Sequence, residues 1–444
     1  MADREPDPSN VEADFAELRR RLHAVIPGGA HTYAKGDDQW PAEVPSAIVR
    51  GMGCHVWDTE GNEFIEYGPG SRAVTLGHAF APVVDAAARQ LGLGANFTRP
   101  AAIEVEAAEE LLDLIDGADM VKFTKDGSTA TTAAVKLARA HTGRDLIALC
   151  ADHPFFSYDD WFIGTTEVDA GIPAQTRPQS LGFRYNDLPS LERLFAEHPD
   201  QIACVILEPE KNLPPADGFL HRVQDLCRRE GALLILDEMI TGFRVDLPGA
   251  QTVHGIVPDL STFGKALANG FAVSALVGRR EIMERGGLEH DGERVFLLST
   301  THGGETHGLA AAIATMRVYR EEPVIETLYA MGDRLRAGVE QVVADLALHP
   351  YFELLGRSCN LVYATRDADG RPSQAFRTLF LQELLAGGIL APSFVVTYSH
   401  TVEDIDRTIE ATAAALETYA RALHDGTDAH LRGRPVKPVY RRYN

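Results

Sequence analysis

Residues 232–244, with the sequence ALLILDEMITGFR, place an aspartate directly after a short apolar run. Such runs between helical segments are typical of strands that are buried on both faces of a parallel sheet. Asp237 would then lie at the carboxyl end of its strand, where open α/β sheets bind their ligands. An aspartate that faces solvent or caps a turn is the more common explanation for such a position by itself, so the surrounding sequence has to decide.

The surrounding sequence repeats this pattern. Apolar runs at Leu146–Leu149 and Ala203–Leu207 alternate with helical segments from about residue 76 to residue 330. This alternation predicts an α/β layered domain with a mostly parallel sheet.

The two ends of the chain have a different pattern. Val11–Val25 is amphipathic, and residues 53–67 have β-forming residues on both sides of a Glu60-Gly61-Asn62 turn, which predicts a hairpin. The last hundred residues carry helical segments at Asp333–Ala347 and Val402–Leu423, which indicates a smaller α+β domain. We therefore predict an N-terminal segment (1–75) that contributes to the small domain and to the mouth of the active site, a large domain (76–330) and a C-terminal small domain (331–444).

Composition narrows the class of protein. The formal charge of −22 in 444 residues disfavours nucleic acid and anionic membranes as partners, and it tolerates a cationic substrate, although solubility alone also explains it. Five scattered cysteines without a CxxC pair argue for reduced thiols in a cytoplasm and against a metal site. The polar start, Met1–Asn10, is unlike a signal peptide, and no run approaches the ~18 apolar residues that span a bilayer.

A second motif, FTKDGSTA at residues 123–130, precedes an alanine-rich segment that ends at Gly143. A glycine-serine turn that leads into a helix leaves unpaired N–H groups at the positive end of the helix dipole, and these bind anions. Gly127 allows a phosphate to approach the backbone and Ser128 can donate from its hydroxyl. A simple helix cap gives the same pattern.

A third motif, STFGKAL at residues 261–267, contains Lys265, 28 residues beyond Asp237. A lysine after glycine usually lies at the surface, but this one follows an apolar stretch inside a sequence with the pattern of a buried core.

These motifs, taken together and in order, resemble the class III (ω-type) aminotransferases that depend on pyridoxal 5′-phosphate (PLP), and most of all glutamate-1-semialdehyde aminomutase and its transaminase relatives. The matching strings run through most of the chain: IPGG at 26–29, LGHA at 76–79, LARAHTGR at 137–144, RYNDLPSLERLF at 184–195, ILEP at 206–209, DEMITGFR at 237–244, FGKALANG at 263–270, THGGE at 301–305, LAPS at 390–393 and EDIDRTIEA at 403–411.

The resemblance implies a PLP-dependent transferase of fold type I, with a mostly parallel, seven-stranded-type sheet in the large domain and a small α+β domain. It implies that Lys265 binds PLP as a Schiff base and then carries the proton between the substrate and the cofactor, because a buried lysine becomes a neutral amine and base. Asp237 corresponds to the acid that pairs with the pyridine nitrogen. Gly127 and Ser128 correspond to the phosphate-binding residues. Thr301 corresponds to a threonine that reaches the phosphate of the neighbouring subunit, which implies a homodimer.

Two contacts with the cofactor ring also follow from the resemblance. Phe155, in HPFFSYDDW at residues 153–161, takes the place of a stacking tyrosine, with the adjacent Phe156 as the alternative register. Met239 corresponds to the apolar residue on the opposite face of the ring. Packing in the core explains each of these residues as well.

The departures from the aminomutase pattern concern the substrate. Residues 125–129 are KDGST in place of Asn-Ser-Gly-Thr-Glu, residues 30–35 are AHTYAK in place of Val-Asn-Ser-Pro-Val-Arg, and FVVTYSH at 394–400 lacks the glutamate that follows LAPS in the mutases. We therefore expect an aminotransferase for an oxo-sugar or aminoglycoside intermediate, with Tyr33 and Arg72 as candidate substrate contacts, although a surface ion pair explains Arg72 equally well. The alternatives are the aminomutase reaction, another PLP reaction such as epimerisation or elimination, and a catalytically silent protein of the same fold.

The resemblance predicts that the purified protein carries PLP on Lys265. Borohydride reduction followed by peptide mass mapping should place the reduced label on this lysine. A label on another lysine, or no bound cofactor after reconstitution, would contradict the assignment.

Overall fold

The computed structural model describes residues 15–443 of the chain. The strands are β1 (Ile48–Met52), β2 (His55–Asp58), β3 (Glu63–Glu66), β4 (Met120–Thr124), β5 (Leu146–Cys150), β6 (Ser180–Phe183), β7 (Ile202–Leu207), β8 (Leu233–Asp237), β9 (Leu260–Phe263), β10 (Ser274–Gly278), β11 (Phe352–Leu355), β12 (Val362–Thr365) and β13 (Ile389–Leu390). The α-helices are α1 (Phe15–Val25), α2 (Pro69–Arg72), α3 (Ala81–Leu91), α4 (Ala102–Leu112), α5 (Gly127–Thr142), α6 (Asp160–Ile163), α7 (Leu188–Glu197), α8 (Phe219–Glu230), α9 (Ala250–Val253), α10 (Arg280–Met283), α11 (Thr306–Glu321), α12 (Val324–Asp345), α13 (Gln374–Ala386) and α14 (Val402–Asp425).

The chain divides into two compact units. Among the described residues, unit 1 comprises 15–71, 76–79 and 328–439, and unit 2 comprises 72–75, 80–327 and 440–443.

Unit 2 contains a seven-stranded sheet with the strand order β4-β10-β9-β8-β7-β5-β6. Strand β10 runs antiparallel to both of its neighbours, and the pairs from β9 to β6 are all parallel. Every residue of β7 and β8 is buried, as continuous apolar runs require in a sheet covered on both faces. The predicted α/β class and mostly parallel sheet are therefore confirmed.

Helix α5 connects β4 to β5 and has a distinct signal at each end. The Asp126 side chain caps its first turn by accepting a hydrogen bond from the Thr129 amide at 2.8 Å. Gly143 ends the helix in the left-handed conformation, with φ 68°, as the sequence predicts. The helix start is thus fixed directly after Asp126, and Gly127 and Ser128 lie in its first turn.

Unit 1 contains a four-stranded sheet with the order β1-β2-β3-β13 and a β11-β12 hairpin. The predicted hairpin within residues 53–67 is confirmed as the antiparallel pair β2-β3. The predicted N-terminal helix is confirmed from Phe15 to Val25, and its expected first residues lie outside the described part of the chain. The two predicted C-terminal helices correspond to α12 and α14.

Within residues 15–443, no helix combines the length and the apolar character needed to cross a bilayer. All five cysteines, at positions 54, 150, 204, 227 and 359, are buried, and none of them forms a disulfide bond.

Candidate active site

Four neighbouring parallel strands of unit 2 end at one edge of the sheet, and polar residues follow there. Asp237 is the last residue of β8, and its backbone pairs with Thr262 of β9. Leu207 pairs with Leu236, so Glu208 leaves β7 beside Asp237. Lys265 follows β9 after a single glycine. Because carboxyl ends of parallel strands share an edge, the strand order brings together residues that are far apart in the sequence.

Asp237 is buried, with 3% of its surface exposed. Its Oδ1 accepts hydrogen bonds from the Met239 amide at 3.0 Å and the Thr262 hydroxyl at 3.1 Å. Burial raises the pKa of Asp237 to about 6, although the Lys265 ammonium and these hydrogen bonds act in the opposite direction. Hydrogen bonds to Oδ1 thus hold the carboxylate in place, and a cationic partner would stabilise its charged form.

Lys265 begins a 3-10 turn and has a positive φ of 46°. Burial lowers the pKa of its ammonium group, and the carboxylates of Asp237 and Glu208 oppose that shift. A lysine with a lowered pKa supplies the neutral amine needed for attack on a carbonyl carbon.

The Met239 thioether lies between two glycines that the sequence separates by more than a hundred residues. A Cβ atom on Gly127 would lie 2.8 Å from Met239 Sδ, and one on Gly264 would lie 2.7 Å from the same atom. The start of α5, the residue before Lys265 and the loop after β8 are therefore in direct contact. Gly264 is extended, with φ −178°, so it is required there for space and not for conformation.

The N-terminus of α5 offers hydrogen-bond donors. Within the described chain, the backbone N–H groups of Gly127 and Ser128 have no hydrogen-bond acceptor. The Ser128 oxygen accepts from the Tyr158 amide at 3.1 Å, which leaves its own proton to donate. Two free amides and one hydroxyl at the positive end of a 16-residue helix form a site for an anionic group such as phosphate.

The two phenylalanines of residues 153–161 have different environments. Phe156 is 2% exposed and packs edge-on against Phe162, with ring centroids 5.7 Å apart. Phe155 also meets Phe162 edge-on, with ring centroids 5.7 Å apart, but it is 46% exposed. Phe155 therefore has the ring that is free to stack on a ligand, and Phe156 belongs to the core.

Thr301 lies in the irregular segment before α11. Its side chain is exposed, and its carbonyl oxygen accepts a hydrogen bond from Asn96 at 2.7 Å. Nearby, Lys125 of the KDGST segment forms a short ion pair with Glu305, so this cation is neutralised within the chain.

The two candidate substrate residues lie in different units. Tyr33 belongs to unit 1 and is 78% exposed. Arg72 belongs to unit 2 and is partly buried, and it forms no ion pair with any residue of 15–443. The described residues therefore provide no partner for the surface ion pair that was the alternative explanation of Arg72. Its carbonyl oxygen accepts a hydrogen bond from the buried Arg244 at 2.7 Å.

Sequence reasoning missed three residues at the same edge of the sheet. Glu208 follows β7 and is 4% exposed, Lys211 lies in the same turn, and His153 follows β5. His153 Nδ1 accepts a hydrogen bond from the Glu208 amide at 3.0 Å. Glu208 carries the same signal as Asp237, an acid directly after an apolar run, and that signal could have identified it.

Comparison with known proteins identifies the family. The model of the family "Aminotransferase class-III" matches residues 37–348. The chain belongs to this family.

Similar proteins cover nearly the whole chain. Glutamate-1-semialdehyde 2,1-aminomutase of Thermomicrobium roseum is 34% identical over 418 residues, which are 89% of this chain and 96% of that protein. The PLP internal aldimine form of the FumI protein of Sphingopyxis sp. MTA144 has a TM-score of 0.84 and 31% identity, covering 95% of this chain and 98% of that one. An ω-transaminase from Sphaerobacter thermophilus has a TM-score of 0.82 and 27% identity, covering 93% and 99%. The fold is therefore that of a fold type I PLP-dependent aminotransferase.

PLP is the cofactor of this enzyme class, and the residues of unit 2 fit it. The free amides at the start of α5 match a phosphate group. The buried Asp237 carboxylate matches a protonated ring nitrogen, and the lysine with the lowered pKa matches an aldehyde.

Substitution Gly264→Ala should weaken PLP binding more than it weakens the fold. The new Cβ would collide with Ser274 Oγ and Met239 Sδ next to Lys265. Gly278→Ala is the matched control, because its Cβ would collide with Leu260 and the Asp259 carbonyl on the same pair of strands. We expect both variants to lose about 1–3 kcal/mol of unfolding free energy in urea. Only Gly264→Ala should lower PLP affinity in absorbance titrations, and equal affinities in the two variants would contradict the arrangement.

Asp237→Asn should stabilise the cofactor-free protein more at about pH 8 than at about pH 5. The folded pKa of Asp237, about 6, lies above its ordinary value of 3.8, so the folded state holds the proton more tightly and stability falls as pH rises through this window. The one pH unit between about pH 5 and the folded pKa corresponds to about 1.4 kcal/mol. Asparagine keeps the Oδ1 acceptor but does not titrate. A difference in unfolding free energy that stays constant between the two pH values would show that the carboxyl is not destabilised by burial.

Proposed function

We propose that this chain transfers an amino group to or within a small carbonyl compound, with Lys265 and Asp237 as catalytic residues. The observation that carries the proposal is the convergence of Asp237, Lys265 and the start of α5 around the Met239 thioether. When bound, PLP supplies the electron sink that stabilises negative charge at the reacting carbon.

Each residue has a distinct task in this proposal. Lys265 attaches the cofactor and, once released, carries a proton at its Nζ atom, for which its lowered pKa suits it. Asp237 holds a proton on the ring nitrogen through its buried carboxylate, since at close range such an ion pair is worth about 4 kcal/mol at an effective dielectric of about 20. Gly127 and Ser128 bind the phosphate.

Two side chains enclose the ring in this assignment. Met239 contributes an apolar contact to one face, and the open ring of Phe155 stacks on the other. Thr301 reaches the phosphate of a neighbouring subunit, so the active form is a homodimer. The exposure of the Thr301 side chain in the single chain supports this role.

For the substrate, we propose glutamate 1-semialdehyde and the aminomutase reaction. The relative from Thermomicrobium roseum supports it, since the match extends over 96% of that enzyme. The oxo-sugar acceptor that we expected from the sequence has no such support among the similar proteins named above.

One observation favours a second candidate, a transamination between two separate substrates. The segment after LAPS contributes no carboxylate, because Phe394, Val395 and Val396 are apolar and fully buried in unit 1. A mutase has to retain its diamino intermediate through both halves of the reaction, and the acid found there in other mutases is missing.

Kinetics with and without an amino donor separate the two reactions. The purified enzyme should convert glutamate 1-semialdehyde to 5-aminolevulinate without added donor, and Lys265→Ala, the control, should not. Turnover that depends strictly on an added amino acid would replace the mutase with the two-substrate reaction. Turnover of oxo-sugars with no conversion of the semialdehyde would restore our original expectation.

A further inference from the structure

The turn that leaves β7 brings additional charges to the active-site edge. Glu208 follows Leu207, whose backbone pairs with Leu236, and this places Glu208 next to Asp237. Lys211 lies three residues further along, partly buried, and forms no ion pair with any residue between 15 and 443. The Glu208 carboxylate offsets only part of the cost of burying this ammonium, since the two form no ion pair, so a ligand that neutralises Lys211 stabilises the protein.

Glu208 has an unsatisfied oxygen. The residue is 4% exposed, and its Oε2 has no hydrogen-bond partner in the described chain. Burial raises the pKa of Glu208 to about 7, while Lys211 has the largest opposing influence. A buried acceptor without a donor is rare in native proteins, and it indicates that a ligand supplies the donor.

Arg72 provides a second cation. Its backbone is fixed by the hydrogen bond from Arg244, and its guanidinium has no ion-pair partner among the described residues. Burial and the nearby Arg244 charge lower the pKa of Arg72 to about 10. Burial lowers the pKa of Lys211, and the positive charge of Arg72 adds to that shift. These shifts mean that neighbouring positive charges destabilise one another.

The charges in this cluster do not balance. With Lys265 and Asp237 assigned to the cofactor, Arg72, Arg244 and Lys211 contribute three positive charges against the one negative charge of Glu208. The site therefore carries an excess positive charge, although the whole chain has a formal charge of −22. A cationic amino sugar would be repelled here, and an anion would be attracted.

We infer that Lys211 and Arg72 bind the carboxylate of the substrate and that Glu208 accepts a hydrogen bond from an amino or hydroxyl group of the same molecule. The substrate class is thus a small amino or oxo acid. The inference rests on the proposed amino-transfer function and adds the residues that select its substrate.

Binding of unreactive probes to the PLP-loaded enzyme tests the inference without catalysis. Glutarate carries the carboxylate but no amine, 1,5-pentanediol is its neutral counterpart, and choline is a cation that cannot react with PLP. Calorimetric titration should give tighter binding of glutarate than of either other probe. Lys211→Met should weaken glutarate binding by about tenfold or more and leave pentanediol binding unchanged.

The matched control is Lys122→Met, which removes the same charge from an exposed position on β4. Equal glutarate affinity in the Lys211 and Lys122 variants would overturn the inference, as would stronger binding of choline than of glutarate to the wild type. Arg72→Gln provides the same measurement if Lys211→Met does not fold.

A kinetic measurement shows which of the two substrates carries the carboxylate that Lys211 binds. If Lys211 binds the carbonyl substrate, Lys211→Met should raise KM for glutamate 1-semialdehyde with a smaller change in kcat. If it binds an amino-acid donor, the rise should appear in the KM of the donor. Absence of PLP on Lys265 in the wild type would refute the proposed function alone. Glutarate titrated into the cofactor-free wild type, Lys211→Met and Lys122→Met proteins would then test the anion site by itself.

Discussion

The buried carboxylate of Asp237 is the constraint on which the active site depends. A carboxylate at 3% exposure is disfavoured as a charge, and its pKa of about 6 expresses that cost. The hydrogen bonds from Met239 and Thr262 and a nearby cation reduce this cost, and Lys265 is that cation before the cofactor binds. A ring nitrogen that keeps its proton can then replace the lysine as the partner. Because Asp237 is buried at the end of β8, binding of the cofactor would lower the free-energy cost of burying this carboxylate in the fold.

The steric arrangement follows from the same strand end. Met239 comes two residues after Asp237, and its thioether fills the space left by two glycines. One glycine begins α5 and the other precedes Lys265, so a single apolar side chain sets the separation of the anion-binding and amine-bearing segments. Packing at this density transmits small displacements, because interiors contain few voids that could absorb them.

Much of this arrangement could be predicted from the sequence, because it depends on local patterns. The apolar runs predicted β5, β7 and β8, and the glycine-serine turn predicted the start of α5. The choice between Phe155 and Phe156 required the exposed fraction of each side chain, and the sequence of two adjacent loop residues does not reveal it. The charge balance around Glu208 was not predictable, because it depends on strand order. Nothing in the local sequence shows that β7 lies beside β8 or that Lys211 forms no ion pair among residues 15–443.

The strand order also separates two kinds of evolutionary change. The residues of this chain assigned to its own cofactor follow β4, β5, β8 and β9, whereas Glu208 and Lys211 lie in the turn after β7. That turn is a connecting segment outside the strands, so replacement of a few of its residues leaves the strand pairing of the sheet intact. A gene duplicate could therefore acquire a new substrate by altering this turn and the segment around Arg72, while selection continues to preserve the cofactor residues that follow the other strands.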